Sequence, residues 1–179
     1  MRIGVVGDSH GNLENLRMAA DYLVHERGVE LLIHLGDNYE DADVLAEYGV
    51  SLLRVPGVYS DLYKDPGVAN RLIEEFLGWR VLVTHSPKSH ENDLPQDPKP
   101  EVLAAKGEVD IILYAHTHIP AIEEKEGVLW VNPGHLKDVD KKGYPPSMAI
   151  LELQRDSVRA EVLSLKSKEV LQSSTYQKR

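Results

Sequence analysis

The sequence predicts an α/β fold, a mixed sheet system with helices on the outside, and three observations carry that expectation. Short apolar runs alternate with helix-spaced segments in the first half, the second half turns to hairpin-like strands, and the chemically useful polar residues fall just after predicted strands. Ile3 to Val6 is short, β-rich and apolar on both faces, the pattern of a buried strand, and Gly7-Asp8-Ser9-His10-Gly11-Asn12 follows as a polar loop. From Asn12 to Arg27 the apolar positions Leu13, Leu16, Ala19, Ala20, Leu23 and Val24 recur at helical spacing. Asn12 stands where a cap is needed and Gly28 where the helix must stop. Leu31 to Leu35 reads as a second buried strand, closed by Gly36-Asp37-Asn38. A short helix over Asp41 to Tyr48, a third strand over Ser51 to Val55, a turn-rich loop from Pro56 to Asp65 and a helix over about Pro66 to Phe76 follow.

In the second half Trp79 to Thr84 is a strand ending in His85. Lys88 to Lys99, rich in proline, aspartate and asparagine, is a loop. A short helix around Pro100 to Lys106 leads to a strand over Asp110 to Ala115, which ends in His116-Thr117-His118. Ile119 to Glu124, Val128 to Val131, Met148 to Leu153 and Val158 to Leu163 read as antiparallel hairpin strands. The expected organisation is a single domain over residues 1–165 and a polar tail over 166–179, either a docked helix or a frayed end.

Composition bounds the function. The chain has 179 residues, Lys+Arg 20 against Asp+Glu 29, a formal charge of -9 and 42% apolar residues, values of a folded domain and not of a disordered chain. Cysteine is absent, which removes disulfides, thiol catalysis and thiolate-bound zinc. No apolar run approaches the roughly 18 residues of a membrane span. The start runs straight into a strand, so no signal peptide is expected. Net acidity disfavours a dedicated duplex nucleic-acid binder. A cytoplasmic protein with a small ligand is expected, and homo-oligomerisation is left open.

Asp8, His10, Asp37, His85, His116 and His118 all stand at predicted strand ends, where loops of a parallel or mixed sheet share one edge. Asp8 with His10, and His116 with His118, are spaced i, i+2, which in extended backbone puts both side chains on one face. Carboxylate and imidazole without thiolate suits manganese, iron, nickel, cobalt or zinc and does not select among them. An isolated aspartate after a strand is ordinarily a helix cap, and His25 and His34 read as surface or packing histidines. Six oxygen and nitrogen donors on one edge are harder to explain that way, and a metal site is the expectation.

Taken in order, Gly7-Asp8-Ser9-His10-Gly11-Asn12, Gly36-Asp37-Asn38, Thr84-His85, Ala115-His116-Thr117-His118 and Asn132-Pro133-Gly134 resemble the motifs of the calcineurin-like metallophosphoesterases, and the chain length and spacing resemble the small YfcE-type phosphodiesterase branch. The resemblance covers about Met1 to Leu163. It implies a four-layer α/β/β/α sandwich of two mixed sheets with a dinuclear centre of two divalent transition metal ions, manganese favoured. It further implies that Asp8, His10, Asp37 and His118 hold one ion, that Asp37 bridges, and that His85 and His116 hold the second.

Three departures stand out. The family's metal-binding asparagine is here Val58, in Pro56-Gly57-Val58-Tyr59-Ser60-Asp61, so the second site is one ligand short unless Tyr59, Ser60, Asp61 or water fills the place. Ser86 and Ala115 replace glycines. His135 follows Asn132-Pro133-Gly134 where the branch commonly has serine, and it is a candidate to bind phosphate or supply a proton, set against a plain surface-loop histidine. The resemblance implies a phosphoesterase, a phosphodiesterase before a monoesterase, acting on a small phosphoester by attack of a metal-bridging hydroxide, with Asp37 and His85 as catalytic residues; His135, a departure from the branch, is added to them as the candidate proton donor. The alternative is a non-catalytic scaffold of the same fold that binds protein partners, as in the retromer complex. A nuclease of single-stranded ends fits less well, because no aromatic and basic strip is present.

Overall fold

Two sheets face one another in the computed structural model, which describes residues 1–178. In chain order the regular elements are β1 (Arg2–Val6), α1 (Leu13–Asp21), β2 (Leu31–His34), β3 (Ser51–Arg54), β4 (Arg71–Phe76), β5 (Trp79–Thr84), α2 (Pro100–Ala105), β6 (Ile111–Leu113), β7 (Ala121–Lys125), β8 (Val128–Asn132), β9 (Ser147–Leu153), β10 (Ser157–Ser164) and β11 (Val170–Gln177). The first sheet has the order β11-β10-β9-β1-β2-β3 and the second β4-β5-β6-β8-β7. β1, β2 and β3 are parallel to one another, as are β5, β6 and β8, while the hairpins pair antiparallel.

Alternation along the central strands creates the four layers. Ile3, Val5, Leu31 and Ile33 point into a core shared with Val81, Val83, Ile111 and Leu113 of the other sheet. Their neighbours face outward: Val6 and Leu32 pack beneath Leu16, Ala19 and Leu23, while Leu82 and Ile112 pack beneath Leu103 and Ala104 of α2. The α/β/β/α sandwich is therefore present. Continuous apolar runs in the central strands are explained by burial on both faces.

Local expectations hold where a single chemical cause decides them. The Asn12 side chain caps α1 by accepting the backbone N–H of Asn15 at 3.0 Å, and Gly28 at φ +63° ends the helical stretch, whose last turn, Tyr22–Glu26, is π-helical. Tyr39–Tyr48 is a 3-10 helix, a tighter form of the short helix expected there.

Two expectations are corrected. Arg71–Phe76 is strand β4 and not the end of a helix. Leu77 and Gly78, at φ +53° and +84°, form a two-residue hairpin turn that returns the chain into β5. Over residues 166–178 the tail is neither a docked helix nor frayed, since Val170–Gln177 pairs antiparallel with β10, and Arg179 lies outside the described residues. β11 also reaches the second sheet, where Gln172 bonds to the backbone of Ile122 and Pro120 and the Tyr176 hydroxyl donates to the Gly127 carbonyl.

Candidate metal centre

The parallel strands β1, β2, β5 and β6 end at one edge, and the loops after them carry the six residues singled out in the sequence. Close approach of backbone explains the glycines there. A Cβ on Gly57 would meet Asp37 Cα and O at 2.6 Å, and one on Gly36 would meet Val55 O, Pro56 C and Gly57 N at 2.8 Å. The loop after β2 is thereby pressed against the loop after β3, which sets Asp37 beside Val58.

The ligand loops are held in unusual backbone. Asp8, His10, Asp37, His116 and His118 all have positive φ, between +47° and +78°, and they make up five of the eight non-glycine residues in that state among the described residues. Such conformations cost of order 1–3 kcal/mol each and persist only where the surroundings hold them. Here the surroundings are specific. Ser9 donates to Asp41 Oδ2 at 2.7 Å, which also accepts Gly11 N–H at 2.8 Å, and His34 bonds to Ser9 Oγ at 3.0 Å and accepts Gly36 N–H at 3.2 Å. Asn132 donates to Thr117 Oγ1 at 2.9 Å and to Ala115 O at 3.3 Å, fixing the His116 to His118 loop.

The six side chains converge. Donor atoms of Asp8, His10 and His118 lie within 4.8 Å of one another, and so do those of Asp8, Asp37 and His85. His116 Nδ1 is 3.2 Å from His85 Nε2, and His10 Nε2 is 2.9 Å from His118 Nε2. Asp8 is common to both groups. Asp37 borders both, with its Oδ2 at 2.8 Å from His10 Nδ1.

Hydrogen bonds at Nδ1 decide which nitrogen faces inward for three of the rings. His85 Nδ1 bonds to Leu35 O at 2.7 Å, His118 Nδ1 to Asp140 Oδ1 at 2.7 Å and His10 Nδ1 to Asp37. An oxygen partner takes the Nδ1 proton, so the Nε2 atoms are left to point at the centre, the arrangement that imidazole ligands of metals ordinarily show.

At that centre lies Asp8 Oδ1, buried and without a hydrogen-bond partner among the described residues. It is 3.5 Å from His118 Nε2, 3.9 Å from His10 Nε2 and 4.0 Å from His85 Nε2. Atoms that each sit about 2.1 Å from one ion are about 3.0–4.2 Å apart, depending on the angle between them. These residues therefore fit a divalent cation, which would satisfy an oxygen that nothing else here does.

The electrostatics of the cluster are uneven. Burial lowers His85 against the pull of Asp8, and burial with neighbouring His85 lowers His116, which favours the neutral form of both rings. The Asp8 carboxylate, and after it Asp140, raise His118 against the effect of burial. Burial works against the charge of Asp37, yet the hydrogen bond from His10 carries its pKa below the ordinary carboxylate value.

Residues at the departures are engaged in local structure. Val58 is buried, and its carbonyl accepts Asn92 Nδ2 at 2.9 Å. Ser60 Oγ accepts Leu62 N–H at 3.2 Å and caps a 3-10 turn, Asp61–Lys64, and Asp61, exposed, is not among the clustered donors. His135 is not a surface-loop histidine but fully buried, with Nε2 bonded to Tyr144 O at 2.9 Å and Nδ1 accepting Lys137 N–H at 3.1 Å. Sequence reasoning missed Asp140, Asp41 and His90. Asp140 sits in an acidic, lysine-rich loop that carries no periodic signal, and His90 looks like any loop histidine.

The profile described as calcineurin-like phosphoesterase superfamily domain matches residues 1–156. The chain belongs to this superfamily. It is 27% identical over 179 residues to "Phosphodiesterase MJ0936" of Methanocaldococcus jannaschii, covering 91% of this chain and 99% of that one. Among solved structures it resembles the Escherichia coli phosphoesterase Yfce, with a TM-score of 0.70 at 21% identity over 97% of this chain and 98% of that one. It also resembles Chaetomium thermophilum Vps29, with a TM-score of 0.73 at 19% identity over 100% and 96%. Within the superfamily the chain falls in the small phosphodiesterase branch of YfcE and MJ0936 type. Among the described residues no helix is long and apolar enough to cross a membrane.

Proposed function

We propose that the chain is a phosphodiesterase of small phosphoesters that works with two divalent cations, held by Asp8, His10 and His118 on one side and by His85 and His116 on the other, with Asp37 shared. The observation that carries this reading is the buried, partnerless Asp8 Oδ1 ringed by three imidazole Nε2 atoms at 3.5–4.0 Å. Bound there, the cations would supply a water of low pKa and positive charge for the oxygens of a phosphate displacement. Manganese is the first ion to test, since the donor set excludes only thiol-seeking metals.

The chain's own residues do the rest. Leu35 O, Asp140 and Asp37 hold the rings of His85, His118 and His10 in orientation. Asp8 and Asp37 bring the negative charge that makes two cations tolerable at short range. His135 has no part in this reading as proton donor, because both of its nitrogens are committed to backbone groups. A monoester dianion asks for more positive charge and a proton for its leaving group, while a diester monoanion asks for less of both.

A scaffold role has the Vps29 likeness on its side, but that likeness shows the fold alone. Five positive-φ positions aim their side chains at one cluster, and Asp8 Oδ1 within it has no hydrogen-bond partner among the described residues, which favours a ligand there over a purely structural role. A paired assay of bis(p-nitrophenyl) phosphate and p-nitrophenyl phosphate with added manganese tests the reading. The diester is expected to turn over faster, and a faster monoester would overturn the substrate class.

A further inference from the structure

We propose that His90 is a substrate-binding residue of this site, donating a hydrogen bond from Nε2–H to an oxygen of the phosphoester; the proposal rests on the phosphoesterase reading above. His90 lies in the loop between β5 and α2. Its ring stands edge-on to Tyr59, with centroids 5.4 Å apart at 86°, and its centroid is 6.1 Å from that of His116. Asp8 and His85 form the buried floor of the cluster, at 1% and 2% exposure, whereas Tyr59 is 73% exposed and His90 half-buried. The pair thus lines the open mouth on the His116 side, where Val58 offers no polar group.

The loop that carries the ring is held by a hydrogen-bonded network that also braces the residues beside His85. Arg71, with its side chain wholly buried, holds Asp93 through two bonds of 3.0 and 3.1 Å. It also bonds to Thr84 Oγ1 at 3.0 Å and Ser86 Oγ at 3.2 Å, the residues on either side of His85. Asp93 in turn accepts the Tyr63 hydroxyl at 2.6 Å and the backbone N–H of His90 at 3.0 Å, and its own N–H donates to His90 O at 3.0 Å. Ser89 is tied to Glu101, and Asn92 to Val58 O. The residue is therefore pinned on both flanks before any ligand arrives, and such pre-organisation is what makes a polar contact to substrate effective.

Its chemistry selects donor over ligand. His90 Nδ1 accepts the backbone N–H of Asn92 at 3.2 Å, so the ring proton resides on Nε2. That N–H has no partner among the described residues. An Nε2 that carries the proton has no lone pair for a metal but can donate to an anionic oxygen, and the ring that bears it stands beside His116.

The test uses protein reconstituted with manganese, inorganic phosphate as a competitive inhibitor of bis(p-nitrophenyl) phosphate hydrolysis, calorimetry of phosphate binding, and metal content by plasma mass spectrometry. His90→Phe keeps the ring and removes the donor, while His90→Gln keeps an N–H donor. We expect His90→Phe to weaken phosphate binding by about tenfold or more, as for loss of a hydrogen bond to a charged group, at unchanged metal content. His90→Gln should recover part of the loss. Equal phosphate affinity in wild type and His90→Phe overturns the proposal and leaves the phosphoesterase reading standing. Loss of a metal ion in His90→Phe overturns it too, making His90 a ligand. A wild-type protein that neither binds phosphate nor hydrolyses the diester overturns both.

Discussion

The two halves of the proposed metal centre are built to different standards. Around Asp8, His10 and His118, each ring is backed by a carboxylate, Asp37 for His10 and Asp140 for His118, and the loop beneath is tied down through Ser9, Asp41 and His34. Around His85 and His116, one ring is backed by a backbone carbonyl, the other faces its neighbour's nitrogen at 3.2 Å, and the place of a third donor is taken by buried Val58. The difference teaches that the half with an apolar side chain at Val58 still has organised surroundings: the polar equipment near Val58 lies one loop further on, at His90 and Asn92.

The largest effect should come from the carboxylate that touches both halves. Asp37→Asn is expected to empty both sites and lower diester hydrolysis on the order of a thousandfold, the upper range for removing one group that stabilises developing charge. Full activity with two ions retained would show that Asp8, common to both donor groups, is the shared ligand instead.

Next comes the frame of the first half. Burial pushes the pKa of His34 down to about 4 from 6.5, so between those values the unfolded chain binds a proton that the folded chain refuses. Stability from this residue is complete above pH 6.5 and is lost as pH falls toward 4, by roughly 3 kcal/mol. His118, raised in the fold, acts in the opposite sense, so the comparison must be between wild type and His34→Asn. Denaturant titrations across that range should show a smaller acid loss in the variant. Equal slopes would mean that His34 is not held neutral.

Asp140→Asn removes the partner of His118 and should weaken the first site by about ten- to a hundredfold while leaving the second nearly unchanged, the usual cost of losing a group that orients a metal ligand. Equal weakening of both sites would erase the distinction between the halves. The smallest effect is expected at Val58→Asn, which should tighten the second ion by about tenfold, worth about 1.4 kcal/mol. Two equal, tight sites in the wild type, read by calorimetric metal titration, would show that the missing donor has already been replaced.

Much of this was legible in the sequence because single physical causes act locally. The Ile3 to Val6 and Leu31 to Leu35 runs, the Asn12 cap and the Gly28 stop each follow from burial or from a backbone need, and the six donors at strand ends follow from where parallel strands place their loops. β4 was hidden because Arg71 to Phe76 is mostly half-buried or exposed and its decisive feature is the turn at Leu77-Gly78. β11 was hidden because a largely exposed edge strand needs no apolar alternation, only backbone pairing with β10. Asp140, Asp41 and His90 were out of reach for a different reason. Their importance comes from contacts of 22 or more positions in sequence for the first two and from ring packing against Tyr59 and His116 for the third, and no local pattern encodes such meetings.

The claim on which all of this depends is that the cluster around Asp8 Oδ1 is a working metal centre. Protein stripped with a chelator, then titrated with manganese while metal content and bis(p-nitrophenyl) phosphate hydrolysis are followed on the same sample, tests it most directly. The stripped protein should be inert, and hydrolysis should return as the bound metal approaches two ions per chain, with the second ion weaker than the first. Hydrolysis that persists in the stripped protein, or two ions bound with no hydrolysis of any phosphoester, would contradict the account.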